Sequence, residues 1–115
     1  MRDESKPARP SSHPSSLIPH PPMVVAICTL QLLIAGSQSL KDKRQVIKSL
    51  LDRTRERFNV SAAEVDDLDA WRRATLAFAC VSKDQVFADQ VLQKVLATVE
   101  SNPLVEVAHV QMEFV

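Results

Sequence analysis

Glycine, tyrosine and long hydrophobic runs are what this sequence has least of. Its 115 residues include one glycine, Gly36, and no tyrosine. No stretch approaches the roughly 20 apolar residues of a membrane-spanning helix, and the start of the chain lacks the apolar run of a secretory signal. The sequence therefore predicts a protein of one domain at most, with no membrane segment.

Cysteine is also scarce. The chain has two, Cys28 and Cys80, and both fall in apolar, strand-like runs. Neither has a histidine or a second cysteine at the spacing of a metal site. Buried free thiols without a secretion signal are typical of a reducing compartment. The sequence predicts that both cysteines belong to the core, that the protein is cytoplasmic, and that it holds no metal or cofactor.

Proline, by contrast, is concentrated at the start, where residues 1–22 hold six of the seven prolines. Apart from Leu17 and Ile18 this segment is polar, so it buries too little apolar surface to offset the entropy of ordering it. Two interpretations stand. Residues 1–22 are a disordered Pro/Ser-rich tail, or Met23 is the natural start and the segment is an artefact of start-site choice. Residues 23–115 are predicted to form the folded domain.

Two kinds of hydrophobic pattern alternate in that domain. Runs rich in β-branched and aliphatic residues predict strands, at 23–33, 60–66, 71–81 and 104–115. Apolar residues at helical spacing predict helices, at 40–58 and 86–101. Ser39 and Ser82 are the predicted N-caps, each followed three residues later by a capping-box partner. The Asn102-Pro103 pair predicts the end of the second helix.

The order β-α-β-β-α-β predicts an α+β fold of the ferredoxin-like class, a four-stranded antiparallel sheet with two helices on one face. Right-handed crossovers place both helices on the same side, and the expected strand order is 4-1-3-2. In the last strand, the residues expected to face the helices are Ala108, Val110, Met112 and Phe114. The other face is then open, with polar and small residues at Thr29, Gln31, Arg73, Thr75, Ala77, Ala79, His109, Gln111 and Glu113.

The strongest functional signal is Ser39-Leu40-Lys41-Asp42-Lys43-Arg44, at the predicted start of the first helix. Helix N-termini favour acidic residues because the backbone dipole makes that end positive, so three cations there cost stability. Their presence indicates an anionic ligand such as an RNA phosphate. The candidate anion- or RNA-binding residues, expected together on the solvent side, are Lys41, Lys43, Arg44 and Lys48. The secondary candidates are Arg53, Arg55 and Arg57. A solvated helix face with scattered cations explains the same pattern without a ligand.

Signals of catalysis are weak. His109 is the only histidine after residue 22, and no second group is placed to complete an acid–base pair. The acids Glu64, Asp66, Asp67 and Asp69 fit a solvated turn and do not have the spacing of a calcium loop. The sequence also lacks the arginine-containing phosphate cradle of acylphosphatases and the sheet aromatics of an RNA-recognition motif. It therefore predicts a protein that is not an enzyme.

Two residues occur once each in the chain. Gly36 is expected in a tight turn or at a positive φ. Trp71 is expected to anchor the second hairpin against the sheet or a helix edge, with an interface contact as the alternative. The open sheet face offers another role for the whole domain, as a homo-oligomeric interaction or ligand-sensing module.

Four stretches resemble the bacterial YlxP-like family, whose function is not known. They are Ser39-Leu40-Lys41-Asp42-Lys43-Arg44, Arg57-Phe58-Asn59-Val60-Ser61, Ala63-Glu64-Val65-Asp66 and Trp71-Arg72-Arg73-Ala74-Thr75-Leu76. The resemblance covers 23–115, and family members usually begin at the position of Met23. It implies a ferredoxin-like domain without established enzyme activity. Gene neighbourhoods shared with transcription-antitermination, translation-initiation and ribosome-binding factors imply a role in ribosome assembly or translation.

Overall fold

The computed structural model describes residues 23–115, which form four strands and two helices. Their bounds are β1 Val24–Leu33, α1 Leu40–Arg57, β2 Ser61–Asp66, β3 Arg73–Ser82, α2 Gln85–Glu100 and β4 Glu106–Phe114. This confirms the predicted order of elements. Residues 1–22 lie outside the described part, so the predicted tail stays a prediction. Neither α1 nor α2 is long and apolar enough to cross a membrane.

The four strands form one sheet in the order β2-β3-β1-β4, which is the predicted order read from the other edge. All neighbours are antiparallel. The central pair, β1 and β3, is in register from Val24 opposite Ser82 to Leu33 opposite Arg73. Both helices cover the same sheet face, as the two right-handed crossovers require. The ferredoxin-like α+β fold is therefore confirmed.

The core lies between that face and the helices. Alternate residues of the central strands are buried, at Ala26, Cys28, Leu30, Leu32, Ala74, Leu76, Phe78 and Cys80. The helices contribute Ile47, Leu50, Leu51, Ala88, Leu92, Val95 and Val99. Burying each larger side chain stabilises the fold by about 1.5–3 kcal/mol. Both cysteines are buried and free, which confirms their predicted place in the core.

β4 departs from strict alternation. Its register with β1 shifts so that Gln31 lies opposite His109 while Leu32 lies opposite Val107. Ala108 is the extra residue of a β-bulge, and Val107 takes the helix side in its place. The expectation that Ala108 faces the helices is therefore wrong, because a bulge resets the period-two pattern. The remaining predicted helix-side residues do lie there, at Val110, Met112 and Phe114.

The second sheet face is open, as predicted. Thr29 lies opposite Ala77 on one side and opposite Gln111 on the other, so these three side chains share that face. Gln31 is similarly placed between Thr75 and His109. No helix or strand among residues 23–115 packs over this surface.

The two helix starts differ from each other. Ser39 caps α1, and its hydroxyl accepts a hydrogen bond from the Asp42 amide at 3.0 Å. The Asp42 carboxylate accepts one from the Gln38 amide at 3.0 Å, one residue before the cap. The cap at Ser39 is therefore confirmed, and its reciprocal bond is a variant of the capping box. The cap of α2 is Asp84. The prediction of Ser82 is wrong because its hydroxyl accepts from the Asp84 amide and shapes the preceding turn.

The turn at Gly36 is confirmed, but its φ is not positive. Among residues 23–115 the left-handed conformation belongs to Asp67, with a φ of 59°. Asp67 lies in the β2–β3 hairpin, where an aspartate tolerates this conformation by bonding locally. The glycine is therefore not required by backbone strain at its own position.

Candidate functional site

Four basic side chains lie along one flank of α1. An α-helix has about 3.6 residues per turn, so residues three or four apart form a row. Such a row connects Lys41, Arg44, Lys48 and Arg55, with Asp52 between the last two. We name these four basic residues the basic strip, and all four are exposed. Three of the primary candidates and one secondary candidate thus lie together.

The basic strip faces the edge of the sheet formed by β2. The Arg55 guanidinium donates a hydrogen bond to the Ala62 carbonyl at 2.6 Å. Because Ala62 lies on β2, this contact shows that the flank of α1 with the basic strip is the one beside β2. Arg53 and Arg57 lie on the opposite flank by helical phase. The Arg57 guanidinium stands 5.6 Å from the centre of the Phe58 ring. Of the secondary candidates, only Arg55 joins the strip.

Lys43 is not on the solvent side of α1, and its expected placement is wrong. Its side chain is 0% exposed, and its Nζ lies 2.6 Å from Glu64 Oε2. The ammonium also donates to the Asp67 carbonyl at 2.7 Å. The physical reason is helical phase, since position 43 lies four residues before Ile47 and so falls within the buried stripe. Lysine occupies such a site when its stem packs and its charge finds a partner.

The Lys43–Glu64 pair joins the first turn of α1 to the β2–β3 hairpin. Glu64 Oε2 accepts no well-aligned hydrogen bond from residues 23–115, so its short contact with Lys43 is ionic. The Leu68 carbonyl completes the surroundings of the ammonium at 3.4 Å. A second tie between the same regions runs from the Arg72 guanidinium to the Ser37 carbonyl at 2.8 Å. The start of α1 is therefore held in place from two directions.

Part of the basic strip is already paired with acid. Asp52 binds Lys48 at 2.7 Å and lies 3.5 Å from Arg55. The hydrogen bond from Lys48 lowers the pKa of the Asp52 carboxyl below its ordinary value, so this acid stays ionised at neutral pH. Lys41 and Arg44 have no acidic partner among residues 23–115. The free positive charge of the strip therefore lies at the N-terminal end of α1.

The acids of the hairpin form a structured turn. Asp67 accepts a hydrogen bond from the Thr75 hydroxyl at 3.0 Å and lies 3.7 Å from the Arg73 guanidinium. The Asp66 carboxylate accepts from the Asp67 amide. Within residues 23–115, no three histidine, cysteine or acidic side chains converge as metal ligands would.

Trp71 is 54% exposed, so the prediction that it anchors the hairpin by packing is wrong. It stands beside Arg72, whose carbonyl accepts a hydrogen bond from the Ile34 amide at 2.9 Å. That bond places the tryptophan at the same end of the sheet as the start of α1. His109, the other residue considered singly, is exposed on β4.

A cleft of about 650 Å³ opens at this end of the molecule, between the β1–α1 loop, α1 and the α2–β4 loop. Val46 lines its α1 wall and belongs to the flank away from the basic strip. The sequence pattern did not predict this cleft because its walls come from three separate segments. Gly36 and Pro103 each marked one of the two loops that line it, but nothing in either pattern indicated that the loops meet.

Comparison with known proteins identifies relatives of unknown function. Residues 25–112 match the family described as "Protein of unknown function (DUF503)". The "Uncharacterized protein YlxP" of Bacillus subtilis (strain 168) is 36% identical over 83 residues, which span 72% of this chain and 90% of that protein. These matches confirm the resemblance drawn from the four sequence stretches.

Two solved structures share part of the architecture. The de novo designed protein Foldit4 has a TM-score of 0.47 and 14% identity, covering 81% of this chain and 96% of that chain. The structural-genomics protein YJCS has a TM-score of 0.44 and 15% identity, covering 77% of this chain and 96% of that chain. Likenesses at this level carry no functional argument.

Proposed function

The chain belongs to the DUF503 family of proteins of unknown function, and from that premise we propose that it is a non-enzymatic protein that binds RNA, free or in a ribosomal particle, through the basic strip. The observation that supports this most is the pair of exposed cations at the start of α1. Lys41 and Arg44 have no acidic partner among residues 23–115. Their charge is available to an anion from solution.

The contacts with phosphate would come from side chains. The amide of Asp42, in the first turn of α1, is already bonded to the Ser39 hydroxyl, whereas the side chains of Lys41 and Arg44 are exposed. Lysine and arginine contacts to phosphate are independent of base sequence and weaken steeply as salt rises. Binding of this kind recognises the position and charge of the nucleic-acid backbone.

Lys43 has a supporting part in this proposal. Its ammonium bonds to Glu64 and to the Asp67 carbonyl, so it is not available to a phosphate. It instead fixes the helix start against the hairpin, which sets where Lys41 and Arg44 stand. Charge reversal at Lys43 would therefore test folding and not binding.

The test compares two charge-reversed variants of the full chain. Lys41→Glu with Arg44→Glu removes the free end of the basic strip, and Arg53→Glu with Arg57→Glu makes the same change on the opposite flank. Each is sedimented with ribosomal subunits at low and at high salt. We expect the first variant to lose about tenfold or more of its association at low salt while the second retains it. Equal association of both variants and the wild type at every salt concentration would refute the proposal.

A second candidate function rests on the open sheet face. Ala77 and Ala79 lie on that face and are only partly exposed, so a second sheet can approach closely. We propose, as the alternative, a homodimer formed through this face. Sedimentation equilibrium of the full chain should then give a dimer that Ala77→Arg dissociates and that Arg44→Glu leaves intact. A monomer at all concentrations would rule this alternative out.

A further inference from the structure

We propose that the cleft beside α1 binds an aliphatic ammonium group, carried either by a small amine or by a lysine side chain. The cleft is distinct from the basic strip because the two lie on opposite flanks of α1. The proposal goes beyond RNA binding, and either one can hold if the other fails.

The volume of the cleft and its apolar lining residues suit an aliphatic chain. The volume of about 650 Å³ lies within the roughly 300–1,000 Å³ of small-ligand sites. Ile34, which is 2% exposed, contributes to the lining together with Val46 and Val105. These apolar side chains come from three segments, the β1–α1 loop, α1 and the α2–β4 loop. Methylene groups placed there would be removed from water, which favours binding.

The charge of the cleft is negative. Asp42 and Glu106 line it, and no lysine or arginine does. Neither carboxylate has a cationic partner among residues 23–115. Asp42 uses one oxygen to accept from the Gln38 amide, which leaves its other oxygen for a ligand. A cation entering the cleft would therefore meet uncompensated negative charge, whereas an anion would be repelled.

Neutral polar side chains in the cleft add to its preference for a ligand that donates hydrogen bonds. Gln45 and Ser49 lie on the cleft side of α1 and line it. Neither side chain makes a hydrogen bond to another of residues 23–115. Their oxygens can accept from an ammonium, which has three donors and no acceptor. An apolar floor with carboxylate and neutral acceptors fits an alkylammonium better than an alcohol or a carboxylic acid of the same length.

The test is a titration of the isotope-labelled full chain, followed by amide chemical shifts, with n-hexylamine, n-hexanol and n-hexanoate. We expect saturable shifts at the cleft residues with hexylamine, weaker ones with hexanol and none with hexanoate. Glu106→Gln should weaken hexylamine binding about tenfold, as expected for loss of a charge-assisted contact. Asp52→Asn removes an acid of α1 that lies outside the cleft, and it should leave the affinity unchanged.

Three outcomes would overturn the proposal: no saturable shift at the cleft, equal binding of hexanoate, or wild-type affinity in Glu106→Gln. Glu106 is exposed at the start of β4, so this substitution preserves folding and keeps the result interpretable. A further arm uses N-acetyl-lysine N-methylamide. Shifts at the same residues support a lysine side chain as the ligand, and binding of hexylamine alone supports a small amine.

Discussion

Lys43 illustrates how the chemistry of one residue conflicts with its position. Transferring an ammonium from water to a protein interior costs several kcal/mol unless a partner and further hydrogen bonds compensate it. Here the partner is Glu64 at 2.6 Å, with the Asp67 carbonyl at 2.7 Å. The pair is compatible with a stable fold only while both side chains are present, because either one alone would be a buried charge without a partner.

Lys43→Ala should therefore destabilise the fold by about 3–5 kcal/mol, since it leaves the Glu64 charge without its partner. The measurement is urea unfolding followed by far-ultraviolet circular dichroism. Lys43→Met combined with Glu64→Leu should recover most of that loss, because it removes both charges and keeps their volume. Lys41→Ala, on the exposed side, should change stability by less than about 0.5 kcal/mol. A Lys43→Ala protein as stable as the Lys41→Ala protein would contradict the ion-pair assignment.

Cys28 gives a prediction that depends on pH. Burial raises the pKa of its thiol to about 11, from an ordinary value of 9.0. As pH rises through 9 the unfolded chain therefore loses this proton before the folded chain does. The contribution is fully present below pH 9 and is lost progressively toward pH 11. The free energy of unfolding should fall over this range more steeply in the wild type than in Cys28→Ala, and equal slopes would be the contrary result.

The burial of single side chains is the property that the sequence predicts least consistently. Cys28 was placed correctly in the core because a strand's alternation decides burial directly. The helical phase of Lys43 carries the same information, but its charge alone predicts exposure. For Trp71 the apolar character of the side chain predicts packing, whereas the side chain is 54% exposed. Composition predicts burial only on average, and contacts between distant segments decide the individual case.

Among the elements, α1 combines a regular cap with an irregular charge pattern. The Ser39 hydroxyl accepts from the Asp42 amide, and the Asp42 carboxylate accepts from the Gln38 amide just before the helix, yet the first turns of α1 also carry Lys41 and Arg44. Further along the strip, Asp52 neutralises part of the charge by holding Lys48. The helix therefore presents a graded positive surface that is strongest at its beginning.

Asp52→Asn should extend that surface by releasing Lys48 and Arg55. If the basic strip binds RNA, association with ribosomal subunits should rise about two- to fivefold at low salt, and the difference should vanish at high salt. Because the pKa of Asp52 is lowered by its hydrogen bond from Lys48, the difference should persist throughout the neutral and mildly acidic range. Below its folded-state pKa, protonation of Asp52 would release the same two cations in the wild type.

Glu56→Gln is the matched control, since it removes one α1 acid that makes no ion pair with residues 23–115. If Glu56→Gln strengthened association as much as Asp52→Asn, net charge would explain the effect and release of the strip would not.

Elements were more predictable than single residues. The hydrophobic period identified both helices and all four strands, and Ser39 marked the start of α1. The cap of α2 and the bulge at Ala108 were missed for physical reasons. Ser82 and Asp84 are both good caps by type, and only the backbone path selects between them. A bulge is set by the register with the neighbouring strand, which alternation along one strand does not reveal.

At the scale of the whole molecule, the basic strip and the acid-lined cleft lie on opposite flanks of α1, and Arg53 and Arg57 lie on the same flank as the cleft without lining it. The chain is neutral overall at pH 7. Locally, the basic strip faces the β2 edge, while Asp42 and Glu106 line the cleft on the other flank. The topology explains why the cleft could not be foreseen, since the β1–α1 loop, α1 and the α2–β4 loop come together there only in the folded domain.

This asymmetry predicts behaviour on a sulfated polymer. The full chain should be retained by heparin at low salt despite its neutral net charge, because binding depends on local charge. Lys41→Glu with Arg44→Glu should elute at lower salt than Arg53→Glu with Arg57→Glu, although both change the formal charge equally. Identical elution of the two variants would indicate that the two flanks are equivalent.

The exposed Trp71 also decides which spectroscopic signals are informative. No tyrosine contributes to the emission, and the single indole is already half in water while the protein is folded. The emission therefore reports on the surroundings of this one indole and not on the packed core, so unfolding is better followed through the backbone. Because Trp71 is the single tryptophan, its emission is a local probe of the β2–β3 hairpin, and a ligand that covers the hairpin should change that emission.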